Sequence, residues 1–365
     1  MPLTMPRAFQ IGRFLGVPVY VTWSWLLFVA VIVPLYTRQL RQVESRLPVA
    51  IALSVVLALM WGVAVLVHEF GHVAAAVSRD LPVRRVELGF LGGETQIRTR
   101  DDSARDEFWL AASGPLVSLV LGLPGLVSLI SGAGLSFGLT GKAGLFASAF
   151  TIANLAIGLF NLLPGLPLDG GRILVAALWR GRRDRIAATR LAARGGQGVS
   201  ILLGAAGVLA IITSRGDLAM RLPLVVALAI MSAVLWAMAG TAIREADVEQ
   251  TLQARGIGEL IDAADAVPAD LTVAGARSTT SSEIVLVYGA GPTGYLTRDQ
   301  LVDVAAGTPV SAVAHPLGDE QVLTENATRL DLLRRLQDSP REWYAVVARD
   351  GLPIGIVGSA ALSRH

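Results

Sequence analysis

The sequence predicts a polytopic α-helical membrane protein, with six spanning helices and a short membrane-associated β-hairpin or sheet, followed by a soluble α/β tail. Three observations carry that expectation. Hydrophobic residues make up 53% of the 365 and charged residues only 16%, outside the usual range of soluble globular chains. Six apolar stretches have the length of a bilayer crossing. From about Glu245 the composition turns to mixed, charged, turn-rich sequence, so the expected units are residues 1–244 and 245–365. Net charge is +2 with the arginines spread over loops and helix ends, which gives no reason to expect a nucleic-acid partner. The implied partner of this composition is the lipid bilayer. With no cysteine, disulfides and thiolate ligands are excluded, and a metal would have to be held by His, Asp or Glu.

Residues 1–13 are short and basic, and residues 17–36 follow without a small-residue cleavage site, which reads as a retained first span. The other spans are expected at 49–77, 108–131, 143–164, 198–214 and 222–243. An even number puts both termini on one side. The segment 172–194 carries Arg172, Arg180, Arg182, Arg183, Arg185, Arg190 and Arg194, whereas 132–141 carries no charge. Short positive loops stay inside, so both termini and the tail are expected in the cytoplasm, with Arg38, Arg41 and Arg46 opposing more weakly. Between the second and third spans, 83–100 alternates polar and apolar residues, with Gly92-Gly93 as a turn between two short strands. Such backbone persists at membrane depth only where protein or water satisfies it. Its open edge could hold an extended substrate, and a plain surface hairpin fits the pattern equally well.

The chemistry sits near the end of the second span, in His68-Glu69-Phe70-Gly71-His72. Histidines four apart lie on one helical face about one turn apart, so both imidazoles reach one zinc, and the glutamate between them can polarise a metal-bound water. Ionisable groups at membrane depth are costly and normally serve a function. A catalytic zinc needs three protein ligands. The best third candidate is Asp169, in Asn161-Leu162-Leu163-Pro164-Gly165-Leu166-Pro167-Leu168-Asp169-Gly170-Gly171-Arg172 after the fourth span. Pro164 and Pro167 end the helix, and Gly170-Gly171 permits tight backbone. An aspartate opening a loop needs no metal, but the pair of histidines leaves a vacancy that this one fits.

The zinc motif in one span together with residues 161–172 after a later one resembles the site-2 protease family of intramembrane zinc metalloproteases. The resemblance covers the six-span core and implies His68, His72 and Asp169 as ligands of one Zn2+ and Glu69 as catalytic base. It implies a role in transition-state stabilisation for Asn161, whose amide could donate to the developing oxyanion. It also implies substrate contacts along Gly89, Phe90, Leu91, Gly92, Gly93, Glu94 and Thr95, and close helix approach near the site at Gly114-Pro115. Asn154 reads as a helix–helix hydrogen bond. The implied substrate is a single-span membrane protein, such as a regulator of the anti-sigma factor type.

The tail repeats one order twice, over 283–301 and 343–362: strand, turn, strand, helix start, with a helical stretch at 330–337 before the second. It resembles a pair of CBS modules, which often bind adenine nucleotides and usually assemble as a homodimer. Their ribose-contacting pattern places an acid three residues after a Thr or Ser, whereas here Thr297 is followed by Asp299 two residues on, and 355–361 has no acid. A structural or dimerising tail is the stronger expectation. His315 and His365 read as non-catalytic. The rival class is an inactive metal-binding scaffold or transport protein regulated by its tail. It would want four ligands or polar pore-lining spans, and neither is evident in the sequence.

Overall fold

The structure is a computed structural model and describes residues 8–89, 92–97, 103–182, 184–213, 218–289, 291–359 and 361. The chain divides into two compact units between Ala246 and Asp247.

The first unit opens with two strands, β1 (Ala8–Phe14) and β2 (Val17–Thr22), joined through Leu15 and Gly16, both in the left-handed region. The first span therefore begins at Trp23 and not at Val17: α1 runs Trp23–Leu40. Residues 17–22 are apolar and β-branched, so an average over a window cannot separate them from a helix, but their period of two buries Val17 and Val19 on one face. Next come α2 (Leu47–Val77), β3 (Val83–Gly89), β4 (Gly92–Ile97), α3 (Ala104–Ile130), α4 (Gly141–Asn161), α5 (Asp169–Arg182), α6 (Arg185–Ile212) and α7 (Leu218–Ala254), whose residues from Asp247 on belong to the second unit. Six of the described helices (α1 to α4, α6 and α7) are long and apolar enough to cross a membrane, which makes this a multi-pass membrane protein. At 31 residues, roughly 46 Å, α2 exceeds a hydrocarbon core of about 30 Å.

The arginine-rich segment expected as a loop is mostly helix. Leu174, Val175, Leu178 and Trp179 of α5 pack against Ala188 and Ala192 of α6, and Asp184 caps α6 by accepting from the Ala187 amide at 2.9 Å. An amphipathic helix with charges on one face has too low a mean hydropathy to read as a span and too many charges to read as a core element.

The expected hairpin is part of a four-stranded sheet in the order β1-β2-β3-β4. β2 and β3 run parallel, and the other two pairs are antiparallel. Gly89 pairs with Gly92, so Gly92-Gly93 open β4 instead of making the expected turn. The sheet packs on α2 through Val17, Val19, Val86 and Val73, with the rings of Phe14 and Phe70 stacked 3.9 Å apart. This contact fixes β4 beside the last turns of α2.

The second unit holds two modules. β5 (Asp265–Pro268), α8 (Val273–Thr279), β6 (Ile284–Tyr288), β7 (Pro292–Thr297), α9 (Arg298–Asp303) and β8 (His315–Pro316) form the first, with a sheet in the order β5-β6-β7-β8. β9 (Val322–Thr324), α10 (Arg329–Asp338), β10 (Trp343–Val347) and β11 (Pro353–Gly358) form the second, in the order β11-β10-β9. In both, a parallel pair is followed by an antiparallel hairpin, and each sheet has its own core.

Candidate metal centre and active site

The last three turns of α2 carry His68, Glu69 and His72, all buried, and their ligand atoms lie within 4.8 Å of one another. Asp169 is the first residue of α5. Its Oδ2 lies 3.1 Å from His68 Nε2 and 3.3 Å from His72 Nε2. The path that brings it there follows from the local sequence. α4 stops at Asn161, and the chain folds back over α6, where the Leu166 amide donates to the Ala192 carbonyl at 3.0 Å. Gly170 is required by this packing, because a Cβ there would collide with the Leu162 carbonyl.

The outer ring nitrogens decide what the inner ones offer. His72 Nδ1 lies 2.7 Å from the Leu110 carbonyl, which can only accept, so Nδ1 carries the proton and the neutral ring keeps its lone pair on Nε2. His68 Nδ1 lies 3.1 Å from Ser118 Oγ. Ser113 donates to the same Leu110 carbonyl at 2.7 Å, and a Cβ on Gly114 would run into Nε2 of both histidines. One helix, α3, therefore supports both imidazoles from behind and leaves space in front of them. Two imidazole lone pairs and one carboxylate oxygen converging on a point are the donor set of a three-ligand zinc site, and the residues fit that metal.

Glu69 is placed differently. Its Oε2 accepts from Thr95 Oγ1 at 2.5 Å, and a Cβ at Gly93 would overlap its side chain, so β4 lies directly over this carboxylate. Of the residues expected along the substrate edge, Gly93 and Thr95 reach Glu69. Glu94 pairs with Glu87 and Gly89 with Gly92 in the ladder, and Phe90 and Leu91 lie outside the described residues. Asn161, the last residue of α4, donates one amide N–H to the Ile157 carbonyl at 3.0 Å, within its own helix. Asn154 likewise donates to the Phe150 carbonyl at 2.9 Å and not to another helix. Pro115 lies buried in α3, Pro164 and Pro167 lie between α4 and α5, and the α4 cap is Leu162, ahead of both prolines. In the tail, Thr297 is a helix cap in a reciprocal box with Gln300, and His315 contacts Gln300 at 2.6 Å. His365 lies outside the described residues.

Sequence reasoning missed the supports. Leu110, Ser113 and Ser118 carry no signal in a linear reading. Arg172, one of the arginines that bear on topology, donates from Nε to Glu107 Oε1 of α3 at 2.8 Å. A cation one turn after a candidate ligand was the available hint.

Residues 56–145 and 140–203 match Peptidase family M50. The chain is 32% identical to "Putative zinc metalloprotease sll0528" of Synechocystis over 57% of this chain and 55% of that protein. It is 34% identical to "Putative zinc metalloprotease Rip3" of Mycobacterium tuberculosis over 56% and 52%. The chain thus spans about half the length of the curated relatives it matches. Among solved structures, the site-2 protease from Methanocaldococcus jannaschii aligns over 65% of this chain and 95% of that one, at 22% identity and a TM-score of 0.46. The CBS domain of a bacterial CNNM/CorC family Mg2+ transporter aligns over 32% and 76%, at 20% identity and a TM-score of 0.26.

Proposed function

We propose that this chain, whose membrane unit matches Peptidase family M50, is a zinc-dependent endopeptidase that hydrolyses a peptide bond within or near the transmembrane segment of a single-span membrane protein. The observation that carries this is the contact of one Asp169 oxygen with both histidine Nε2 atoms, at 3.1 and 3.3 Å, with Glu69 beside them.

His68, His72 and Asp169 would hold the metal. Zinc bound there supplies Lewis acidity that polarises the scissile carbonyl and lowers the pKa of a bound water towards neutrality. Glu69 takes a proton from the attacking water and returns it to the leaving amine, with Thr95 fixing the orientation of the carboxylate. The Leu110 and Ser118 contacts keep each imidazole in register through the reaction. A transmembrane helix hides its carbonyls in its own hydrogen bonds, so the substrate must unwind first. β4 is the terminal strand of its sheet and lies over Glu69, which suits it to take the unwound segment as an added strand.

The arginines of 180–194 and the uncharged 132–141 favour a cell-membrane protein with both termini and the tail in the cytoplasm. A regulator of the anti-sigma factor type fits the substrate class. In the tail, the cap formed by Thr297 speaks for a structural role of that residue and against an adenine nucleotide, and a homodimer through the tail is the assembly we expect. The test is metal content of the purified full chain: about one zinc per native chain, retained in Glu69→Gln and lost in Asp169→Ala. Native protein without affinity for zinc would overturn the proposal.

A further inference from the structure

Arg172 and Glu107 form an ion pair across two helices, with Nε 2.8 Å from Oε1 and side chains 28% and 12% exposed. Neither residue touches the cluster in which the chemistry is proposed, but each lies one turn from something that does. Arg172 stands three residues after Asp169 on α5, so both project from one side of that helix. Glu107 stands three residues before Leu110 on α3, whose carbonyl holds His72 Nδ1 at 2.7 Å. α3 carries Ser118 behind His68 and Gly114 against the Nε2 atoms of both imidazoles, whereas Asp169 comes from α5. The relative placement of the histidines and the aspartate is thus a matter of how α5 sits on α3, and this pair ties the two first turns together.

We infer that the Glu107–Arg172 pair is a positioning clamp that sets Asp169 against the two histidines. The inference rests on the zinc reading above. Breaking one partner of a poorly hydrated pair leaves the other charge uncompensated, so the first turn of α5 shifts and the carboxylate loses its aim. Groups that orient ligands in this way typically change metal affinity by about 10- to 100-fold when removed. The substrate strand lies elsewhere, over Glu69, so the clamp acts on turnover and on metal retention but not on substrate binding.

The test uses the full chain in detergent, with zinc retention measured by competition with a chelator. Glu107→Ala and Arg172→Ala are each expected to weaken zinc about 10- to 100-fold and to lower kcat with KM unmoved. The exchanged pair, Glu107→Arg with Arg172→Glu, is expected to recover most of both. Single variants that fold and hold zinc as tightly as the native chain would overturn the clamp, even if their unfolding temperature drops, since that is what a purely structural pair predicts. Should Arg172→Ala fail to fold, Arg172→Lys carries the test: it keeps the charge but shortens the reach, and native zinc affinity in it contradicts the inference. Native protein that binds no zinc sinks the proposed function itself, a result distinct from native binding with unaffected variants.

Discussion

At the scale of single residues the account separates holding the metal from moving the proton. Replacing Glu69 with Gln keeps the shape and removes the base, so cleavage should fall by about 10²- to 10⁴-fold with zinc content unchanged. Thr95 donates to that carboxylate at 2.5 Å. Thr95→Val should therefore lower kcat with little change in zinc, and Thr95→Ser, which keeps the hydroxyl, should restore it; equal rates in the three proteins would remove Thr95 from the mechanism. Gly114→Ala tests the space in front of the imidazoles. Its added Cβ would meet both Nε2 atoms, so zinc binding should be lost in a folded protein, and a native metal content would show that α3 can give way.

Among the elements, α3 has the widest influence, because it contacts both histidines and receives α5 through Glu107. Only the close approach at Gly114-Pro115 was legible in the sequence; the support that Leu110, Ser118 and Glu107 give was not, because nothing in a linear reading points their groups at the histidines or at Arg172. The zinc motif was legible because helical periodicity alone puts His68 and His72 on one face, and Asp169 because two histidines leave a ligand position open. The N-terminal strands were not, since a β-branched apolar run directly ahead of a span has the hydropathy of the span itself. The helix–helix bond expected of Asn154 does not form, because an amide in a helix can turn back to the carbonyl four residues earlier, and pattern does not say when it will. In the tail, the order of strands and helices could be read from turn residues and alternation, but Thr297 as a cap could not be told from Thr297 as a ligand contact. If the cap is its role, Thr297→Ala should destabilise the tail by about 1 kcal/mol, seen as an earlier unfolding transition.

For the whole molecule, the two compact units and the six apolar helices among the described residues define a membrane part that holds the His-Glu-Asp cluster and a separate tail. Orientation can be tested because the chain has no cysteine. A single Ser136→Cys should react with a membrane-impermeant maleimide in intact cells, and a single Ser311→Cys only after permeabilisation; the reverse pattern would invert the topology. The central claim is hydrolysis at the buried His-Glu-Asp cluster, and it is tested most directly by incubating native chain and Glu69→Gln, both zinc-loaded in vesicles, with a single-span substrate and locating the cut by mass spectrometry. The account predicts a cut within or beside the apolar segment by the native chain and intact substrate with Glu69→Gln. Equal cleavage by the two proteins, or zinc-loaded native protein that leaves even a helix-destabilised substrate whole, would contradict it.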